Sequence, residues 1–267
     1  MNRLRVGVVG AAGRMGREVC RAVASADDME LVLAVDRNDG LRVRDWAGEQ
    51  CPDLVTEKKL GEAIERCAPV HVVVDFTHPK FAASNALVAI RRGAAAVIGT
   101  SSITPQDLAA IRSEAEEHGV AVLYMPNFAI GAVLMMRFAA EAAKHFPECE
   151  IIEMHHDKKA DAPSGTAIRT AELIAQARNR RPNRPPTGVI KFEGARGGAV
   201  ADTPVHSIRL PGLVAHQLVV FGGAGEVLTI RHDSLSRDCF MPGVLLAIRS
   251  APKMKGLTVG LEHLLQA

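Results

Sequence analysis

The chain has 267 residues, 48% of them hydrophobic and 23% charged, which is enough to bury one large core or two smaller ones. Its formal net charge of +2 is close to balance and excludes a general electrostatic attraction to nucleic acids or membranes. No uninterrupted apolar stretch approaches the roughly 18 residues of a membrane span, and the five cysteines form no CxxC pair, so we expect a protein of the reducing cytoplasm.

Apolar, β-branched runs alternate with helical stretches in the first half of the chain, as in LRVGVV followed by GAAGRMGREVCRAVASA. In that second stretch Met15, Val19 and Val23 are four residues apart, which is the spacing of one helix face. Such alternation predicts a doubly wound parallel sheet of the Rossmann type, with helices on both faces. The predicted strands cover residues 4–9, 29–36, 70–77, 94–100 and 120–126.

After Asn127 the pattern changes to a helix, a strand that ends in two histidines, and another helix. Three strand-like runs follow, VHSIRLPG, AHQLVVFGG and EVLTIRHDS, with no helix long enough for a crossover, so we expect them to be antiparallel neighbours. This half is predicted to be an α+β domain with a mixed or antiparallel sheet. We expect domains at 1–126 and 127–239, and a C-terminal helix at 240–267 that packs back on the first domain.

One Pro/Arg/Gly-rich stretch, residues 178–198, interrupts the second half. Its simplest interpretation is an exposed loop, because it lacks the interleaved aromatic residues of a nucleic-acid patch. We therefore expect no nucleic-acid partner. Unstructured loops of this length are uncommon, so a lid or an oligomer contact stays open as an alternative.

The first chemical motif is GAAGRMG, which lies between a predicted strand and a predicted helix. Gly10 allows the tight turn, and Gly13 would let the backbone approach a pyrophosphate. Gly16 would let the helix pack close to the strand. Asp36 follows twenty residues after the last glycine, at the end of the next strand, where a carboxylate can accept both ribose hydroxyls. Arg37 beside it is either an exposed arginine or a partner for a 2′-phosphate. The motif predicts a dinucleotide site open to NADH and NADPH.

Three loops, DFTHP at 75–79, GTSS at 99–102 and MPNF at 125–128, each follow a predicted strand. In an open parallel sheet, the carboxyl ends of the strands line the ligand crevice. Any one of these loops could be a plain turn. Together they predict one edge that faces the cofactor.

The segment EMHHDKKADAPSGTA, residues 153–167, groups histidine, lysine and a helix start. Histidine exchanges a proton near neutral pH, and Lys159 can donate a proton or hold a carboxylate. Gly165 and Thr166 follow a serine N-cap, so their N–H groups can bind an anion. A surface histidine pair, a helix cap and a metal site are the alternatives, and no second set of metal ligands is evident. His155 and His156 can serve one pocket only if the strand ends or bends between them.

Several of these blocks carry a resemblance to the 4-hydroxy-tetrahydrodipicolinate reductase (dihydrodipicolinate reductase) family of bacteria and plants. They run in order through nearly the whole chain, as GAAGRMG, FTHP, MPNFAIGAVLMM, EIIEMHHDKKADAPSGTA, HSIRLPGLVAHQ and LTIRHDS. The HHxxKxDAPSGTA block is far more specific than the glycine motif. The resemblance implies NADH- or NADPH-dependent reduction of a small cyclic imine dicarboxylate in diaminopimelate and lysine synthesis. It also implies an N-terminal dinucleotide-binding domain and a C-terminal domain that binds substrate and forms a homotetramer through its sheet.

The resemblance further implies a role for individual residues. The catalytic histidine falls on His155 and the lysine proton donor on Lys159, and no metal is implied. Substrate contacts fall on His156, Gly165, Thr166 and Arg237. The cofactor contacts fall on Gly10, Ala11, Ala12, Gly13, Arg14, Met15, Asp36, Arg37, Gly99, Thr100, Ser101, Met125, Pro126, Asn127 and Phe128.

Two positions depart from the pattern of the family. Ser102 stands where a glycine is usual, and Met125 replaces a frequent alanine. Both lie on the nicotinamide side of the predicted site, so they bear on cofactor preference more than on reaction type. Two other functions remain as alternatives: a different NAD(P)-dependent dehydrogenase of a small amino or imino acid, and a dinucleotide sensor that turns nothing over.

Overall fold

The computed structural model describes residues 3–182 and 188–265, and the chain divides into two compact units. The first unit comprises Met1–Phe128 and Phe240–Ala267, and the second comprises Ala129–Cys239. None of the described helices is both long and apolar enough to cross a membrane.

A parallel sheet forms the centre of the first unit. Its strands, numbered in chain order, are β1 (Leu4–Val9), β2 (Met29–Val35), β3 (Thr56–Glu57), β4 (Val72–Asp75), β5 (Ala95–Ile98), β6 (Ala121–Tyr124) and β12 (Gly256–Val259). They lie side by side in the order β12-β6-β5-β4-β1-β2-β3, and every pairing is parallel. The predicted doubly wound sheet is confirmed. Its central strands are buried on both faces, which is why they read as unbroken apolar runs.

Helices cover this sheet. They are α1 (Arg14–Ala24), α2 (Arg44–Ala47), α3 (Leu60–Cys67), α4 (Pro79–Arg91), α5 (Pro105–His118) and α8 (Met241–Ser250). α5 begins with Pro105 in its first turn and with Thr104 accepting from the Asp107 N–H at 3.1 Å, and it ends at Gly119 in a left-handed conformation. Apolar side chains of α3, α4 and α5 form one continuous core with one face of the sheet.

The prediction of a helix throughout 240–267 was wrong. Only Met241–Ser250 is α-helical, and a short 3-10 turn at Ala251–Lys253 follows it. Pro252 disrupts the helical ladder, and Gly256 turns the chain with a φ of +68°. The chain then adds β12 parallel to β6 as the edge strand of the sheet.

The second unit is a five-stranded sheet with two long helices. Its elements are α6 (Ile130–Ala143), β7 (Glu148–His155), α7 (Gly165–Ala177), β8 (Gly198–Val200), β9 (Thr203–Arg209), β10 (Ala215–Gly223) and β11 (Glu226–Ser234). The strand order is β11-β10-β7-β9-β8. The sheet is mixed, as predicted, because β7 pairs parallel to β9 and antiparallel to β10.

The expectation that the last three long strands are antiparallel neighbours holds only for β10 and β11. These two are joined by a tight turn, so their pairing is local. β9 is separated from β10 by β7, which pairs with both. Part of the predicted loop at 178–198, residues 183–187, lies outside the described residues, and its last residue begins β8.

The two faces of this second sheet differ in what they contact. Side chains of α6 and α7 pack against one face, the inner face, around Ile151, Val219 and Phe221. The register places Glu153 and His155 on that face as well, because side chains two residues apart point the same way. The opposite, outer face carries the apolar residues Ile152, Met154, Ile208, Leu218 and Val220.

Candidate active site

The glycine motif forms a tight turn between β1 and α1. Gly10 has a φ of +77°, and its N–H donates to the Val35 carbonyl at 2.8 Å. Gly13 is the extended N-cap residue of α1. A side chain at Gly16 would place its Cβ 2.1 Å from the Gly10 carbonyl oxygen, so only glycine lets α1 pack this closely. The first N–H groups of the helix therefore open onto a turn made only of glycine and alanine, which is the form of a phosphate cradle.

Asp36 connects this turn to the end of β2. One of its carboxylate oxygens accepts from the Ala12 N–H at 3.0 Å, and the other accepts from the Asn38 N–H at 3.1 Å. Each oxygen keeps a second lone pair that can accept a hydroxyl. Arg37, next in sequence, is exposed. The structure thus brings the predicted ribose-binding carboxylate to the glycine turn.

A buried aspartate at the end of β4 organises the neighbouring loops. Asp75 is 3% exposed, and its Oδ1 accepts from the Thr77 N–H at 2.9 Å, the Thr77 hydroxyl at 2.8 Å and the Thr100 hydroxyl at 2.8 Å. Its Oδ2 accepts from the Asn85 amide at 2.8 Å. The loops 75–79 and 99–102 are therefore joined through one carboxylate, which the sequence reasoning did not single out.

The loop after β5 is compressed between two aromatic rings. The rings of Phe76 and Phe128 lie 5.5 Å apart, and a Cβ on Gly99 would stand 2.2 Å from the first and 2.8 Å from the second. Ser102 has a φ of +64°, a conformation that favours glycine. A glycine, which the family resemblance led us to expect there, would adopt this conformation without strain.

The remaining predicted cofactor residues differ in exposure. Ala11, Thr100, Met125 and Phe128 are buried, whereas Arg14, Ser101 and Pro126 are exposed. Their side chains therefore cannot all face a ligand in the same way. For Met125, which is fully buried, only the backbone could line a site.

In the second unit, the strand ends between the two histidines. β7 ends at His155, whose carbonyl accepts from the Leu210 N–H at 3.1 Å. The carbonyl of His156 accepts from the Lys159 N–H at 3.1 Å, so the chain turns at once. The backbone leaves the extended geometry that would have sent the two rings to opposite faces.

His155 is hydrogen-bonded to a buried carboxylate. Its Nδ1 lies 2.5 Å from Oε2 of Glu153, which is 0% exposed. Arg209 donates to both oxygens of that carboxylate, at 2.9 and 2.8 Å, and the Ser164 N–H donates at 3.2 Å. Burial raises the pKa of Glu153, but hydrogen bonds from Arg209, Ser207 and His155 outweigh it, so the pKa lies below its usual value.

The ionisation of His155 reflects several opposing effects. Burial lowers its pKa, the Glu153 carboxylate raises it, and the positive charges of Lys159 and Arg209 lower it again. The net shift is downward. Lys159 donates to Asp161 at 2.7 Å and lowers the pKa of that carboxyl. A histidine with a lowered pKa and a nearby ammonium group can both supply protons to a bound molecule.

The start of α7 has the predicted cap. The Ser164 hydroxyl accepts from the Ala167 N–H at 3.2 Å, and nothing lies within 4 Å of where a Gly165 side chain would begin. Behind it, Gln217 donates to the Thr170 hydroxyl at 2.8 Å, and that hydroxyl donates to the Thr166 carbonyl at 2.7 Å. Gln217 and Thr170 thus support the first turn from inside, and Gly165 is exposed, which suits an anion site.

Two further observations bound the site. Arg237 is exposed at the start of a 3-10 turn, so its contact with a substrate stays a prediction. Among the described residues, no group of three or more His, Cys, Asp or Glu side chains is placed to hold a metal ion. Glu153 and Arg209 were missed by sequence reasoning, although an acidic residue two positions before His155 on a strand was a usable signal.

The comparisons with known proteins cover the whole of this architecture. The models for the N-terminus and the C-terminus of dihydrodipicolinate reductase match residues 4–128 and 131–265. The 4-hydroxy-tetrahydrodipicolinate reductase of Syntrophomonas wolfei is 49% identical over 98% of this chain and 99% of that protein. The protein of the same name from Moorella thermoacetica is 47% identical over 98% of each chain.

Solved structures agree with the sequence relatives. A dipicolinate-bound dihydrodipicolinate reductase from Paenisporosarcina sp. TG-14 has a TM-score of 0.86 and 40% identity, and covers 98% of this chain and 99% of that one. An amine dehydrogenase from Mycobacterium smegmatis, 12% identical with a TM-score of 0.66 over 96% of this chain and 94% of that one, shares the fold alone. With both family models matched and full-length relatives near half identity, the chain belongs to the dihydrodipicolinate reductase family.

Proposed function

We propose that this chain is a 4-hydroxy-tetrahydrodipicolinate reductase of diaminopimelate and lysine biosynthesis. It reduces the imine dicarboxylate that forms when 4-hydroxy-tetrahydrodipicolinate loses water, and the product is tetrahydrodipicolinate. The observation that carries the proposal is the 49% identity, over essentially the full length of both chains, to a relative that bears this name. The histidine, lysine and helix start of the second unit suit a small dicarboxylate that must be protonated and held.

The glycine turn fits a dinucleotide, because added side chains at Gly10 and Gly16 would meet backbone atoms. Bound NADH or NADPH supplies the hydride. Asp36 is placed to accept ribose hydroxyls, and exposed Arg37 suits a 2′-phosphate, so both cofactors are proposed. The residues proposed to hold the cofactor are Gly10, Ala11, Ala12, Gly13, Arg14, Met15, Asp36, Arg37, Gly99, Thr100, Ser101, Met125, Pro126, Asn127 and Phe128.

The chemistry that the protein itself must supply is a proton for the carbon beside the reduced bond, and positive charge for the carboxylates. His155 and Lys159 are proposed as the proton donors. Gly165 and Thr166 are proposed to bind one carboxylate with their N–H groups, because they begin α7 and Gly165 is exposed. His156 and Arg237 are proposed as further substrate contacts.

We also propose a homotetramer formed through the second sheet. The support is its outer face, where Ile152, Met154 and Ile208 lie opposite the helix-covered side, and where Ile208 is 36% exposed. Val189 and Phe192 are 77% and 79% exposed and favour an oligomer contact for the loop that contains them. A cytoplasmic location is proposed because the five scattered cysteines include no CxxC pair, which favours a reducing compartment.

A coupled assay tests the activity. The preceding synthase would generate substrate from pyruvate and aspartate semialdehyde, and loss of reduced-nicotinamide absorbance would be followed with NADH and with NADPH. We expect oxidation of the cofactor that depends on the synthase. The Lys159→Ala variant should lose nearly all turnover while it still binds cofactor, whereas a dinucleotide sensor would be unaffected. No cofactor consumption by the wild-type chain with either nucleotide refutes the proposal.

A further inference from the structure

Glu153 is the one buried carboxylate among the described residues of the second unit. It lies on β7 with no exposed surface, and both of its oxygens accept from the Arg209 guanidinium. In the parallel pairing of β7 with β9, Ser207 stands directly opposite Glu153, and Arg209 stands opposite His155. The arginine therefore reaches the carboxylate from a fixed position on the adjacent strand.

A buried ion pair of this kind adds little net stability compared with well-packed apolar residues, because both charges lose their hydration. The next inward-facing residue of β7, Ile151, belongs to an apolar core, whereas Glu153 lies between Ser207 and Gln217 on the adjacent strands. What Glu153 gives that an apolar residue could not is an acceptor for the imidazole of His155 at 2.5 Å. The arrangement therefore indicates a role in orienting that ring.

The protonation states follow from the hydrogen bonds. An ionised carboxylate can only accept, and the Arg209 donors together with the lowered pKa keep Glu153 ionised at neutral pH. The Nδ1 atom of His155 must then carry a proton and donate it to Glu153. In the neutral ring, Nε2 is left as the unprotonated nitrogen.

We propose that Glu153, held by Arg209, is the positioning residue that fixes His155 in its Nδ1–H form, so that Nε2 alone exchanges protons with the substrate. This rests on the proposed function, in which His155 is a proton donor. A proton from solvent binds Nε2. Once hydride has added to the conjugated imine, the π electron pair of the resulting enamine forms a C–H bond with this proton at the neighbouring carbon, which restores the C=N bond as the N–H bond at Nε2 breaks. The electron pair of that N–H bond returns to Nε2, and the Nδ1–H bond to Glu153 is unchanged throughout.

The first test is made on the wild-type chain and needs no substitution at Glu153. Long-range proton–nitrogen NMR of histidine-labelled protein would identify the tautomer, with the His155 signals assigned by their loss in the His155→Gln variant. We expect neutral His155 as the Nδ1–H form, with a strongly downfield proton at Nδ1. An Nε2–H form, or rapid exchange between the two forms, overturns the proposal.

The second test is kinetic and uses the Glu153→Gln variant, whose amide can donate to Nδ1 and so reverse the tautomer. We expect kcat to fall about 10²-fold or more, since general acid–base catalysis contributes roughly that much, while the KM for the dicarboxylate stays within about twofold. The NMR signature should change to Nε2–H in the same variant. A kcat within about threefold of wild type in a folded variant refutes the proposal.

The matched control is Glu114→Gln in the first unit. Glu114 also accepts two hydrogen bonds from one arginine, Arg91, and lies 3.9 Å from the Nδ1 of His118, but at the surface. This substitution should leave kcat and the His155 signals unchanged. If the wild-type chain turns over no substrate, the proposed function fails, whereas the tautomer measurement still decides the positioning role.

Discussion

Replacing Gly16 by alanine tests whether close contact between α1 and the glycine turn is needed for cofactor binding. The added carbon would stand 2.1 Å from the Gly10 carbonyl oxygen and 2.7 Å from that of Ala11, both of them backbone atoms. Ordinary contact begins at 3.4 Å, so the helix and the turn must separate by about 1.3 Å. Neither partner is a flexible side chain that could move aside.

The cost of this separation has two parts. Overpacking of a close-packed contact costs about 2 kcal/mol of unfolding free energy, which corresponds to a fall of about 4–8 °C in Tm for a chain of this size. The helix N–H groups also move away from the phosphates, and losing about 1.4 kcal/mol of binding free energy raises the Kd for NADH about tenfold.

Thermal unfolding and a fluorescence titration with NADH would measure both effects. The matched control is Gly61→Ala in α3, where the nearest atom to the added carbon, on Val88, is at an ordinary 3.6 Å. Alanine there should stabilise the chain by about 0.5–1 kcal/mol, because it is the better helix former. A Gly16→Ala variant with wild-type Tm and an unchanged Kd for NADH would refute the reasoning.

Two further predictions concern buried ionisable groups. Asp75→Asn places an amide donor among the four donors that the carboxylate now satisfies. We expect the variant to lose about 1–3 kcal/mol of unfolding free energy and to bind NADH more weakly. The control Asp53→Asn, at an exposed carboxylate, should change neither quantity, and equal effects of the two substitutions would contradict the prediction. The pKa of His155 in the folded chain lies below its value of about 6.5 in the unfolded chain. The unfolded chain therefore binds this proton more readily, and acid favours unfolding. The unfolding free energy of the wild type relative to His155→Gln should decline as the pH falls below about 6.5. Tm measured against pH checks this, and a constant difference between the two proteins would refute it.

The sequence alone predicted those strands and helices whose signals lie within a short stretch of chain. The strands from β1 to β6, with the exception of β3, are apolar runs bounded by turn residues, and the caps of α5 and α7 are visible as Thr104 and Ser164. β3 has only two residues, which are too few to show a periodic pattern. β12 was not predicted as a strand because its short GLTV run lies among leucines, which favour a helix.

Contacts between distant strands could not be read from local pattern. Nothing in β9 or β10 indicates that β7 lies between them, since strand order depends on which edges are free when the sheet forms. For the same reason, the partnership of Glu153 with Arg209, 56 residues away, was not foreseen. His155 and Lys159 could be proposed from the sequence because a short motif carries them, whereas the residues that contact them are spread along the chain.

The late position of β12 has a consequence for biosynthesis. During translation β6 is made more than a hundred residues before β12, and until β12 emerges, β6 is the edge strand and its outer N–H and C=O groups lack the partners that β12 later supplies. The second unit is synthesised entirely within that interval. The nascent chain thus presents β6, whose four residues are all buried in the folded protein, as an open edge with which other chains can pair in that window.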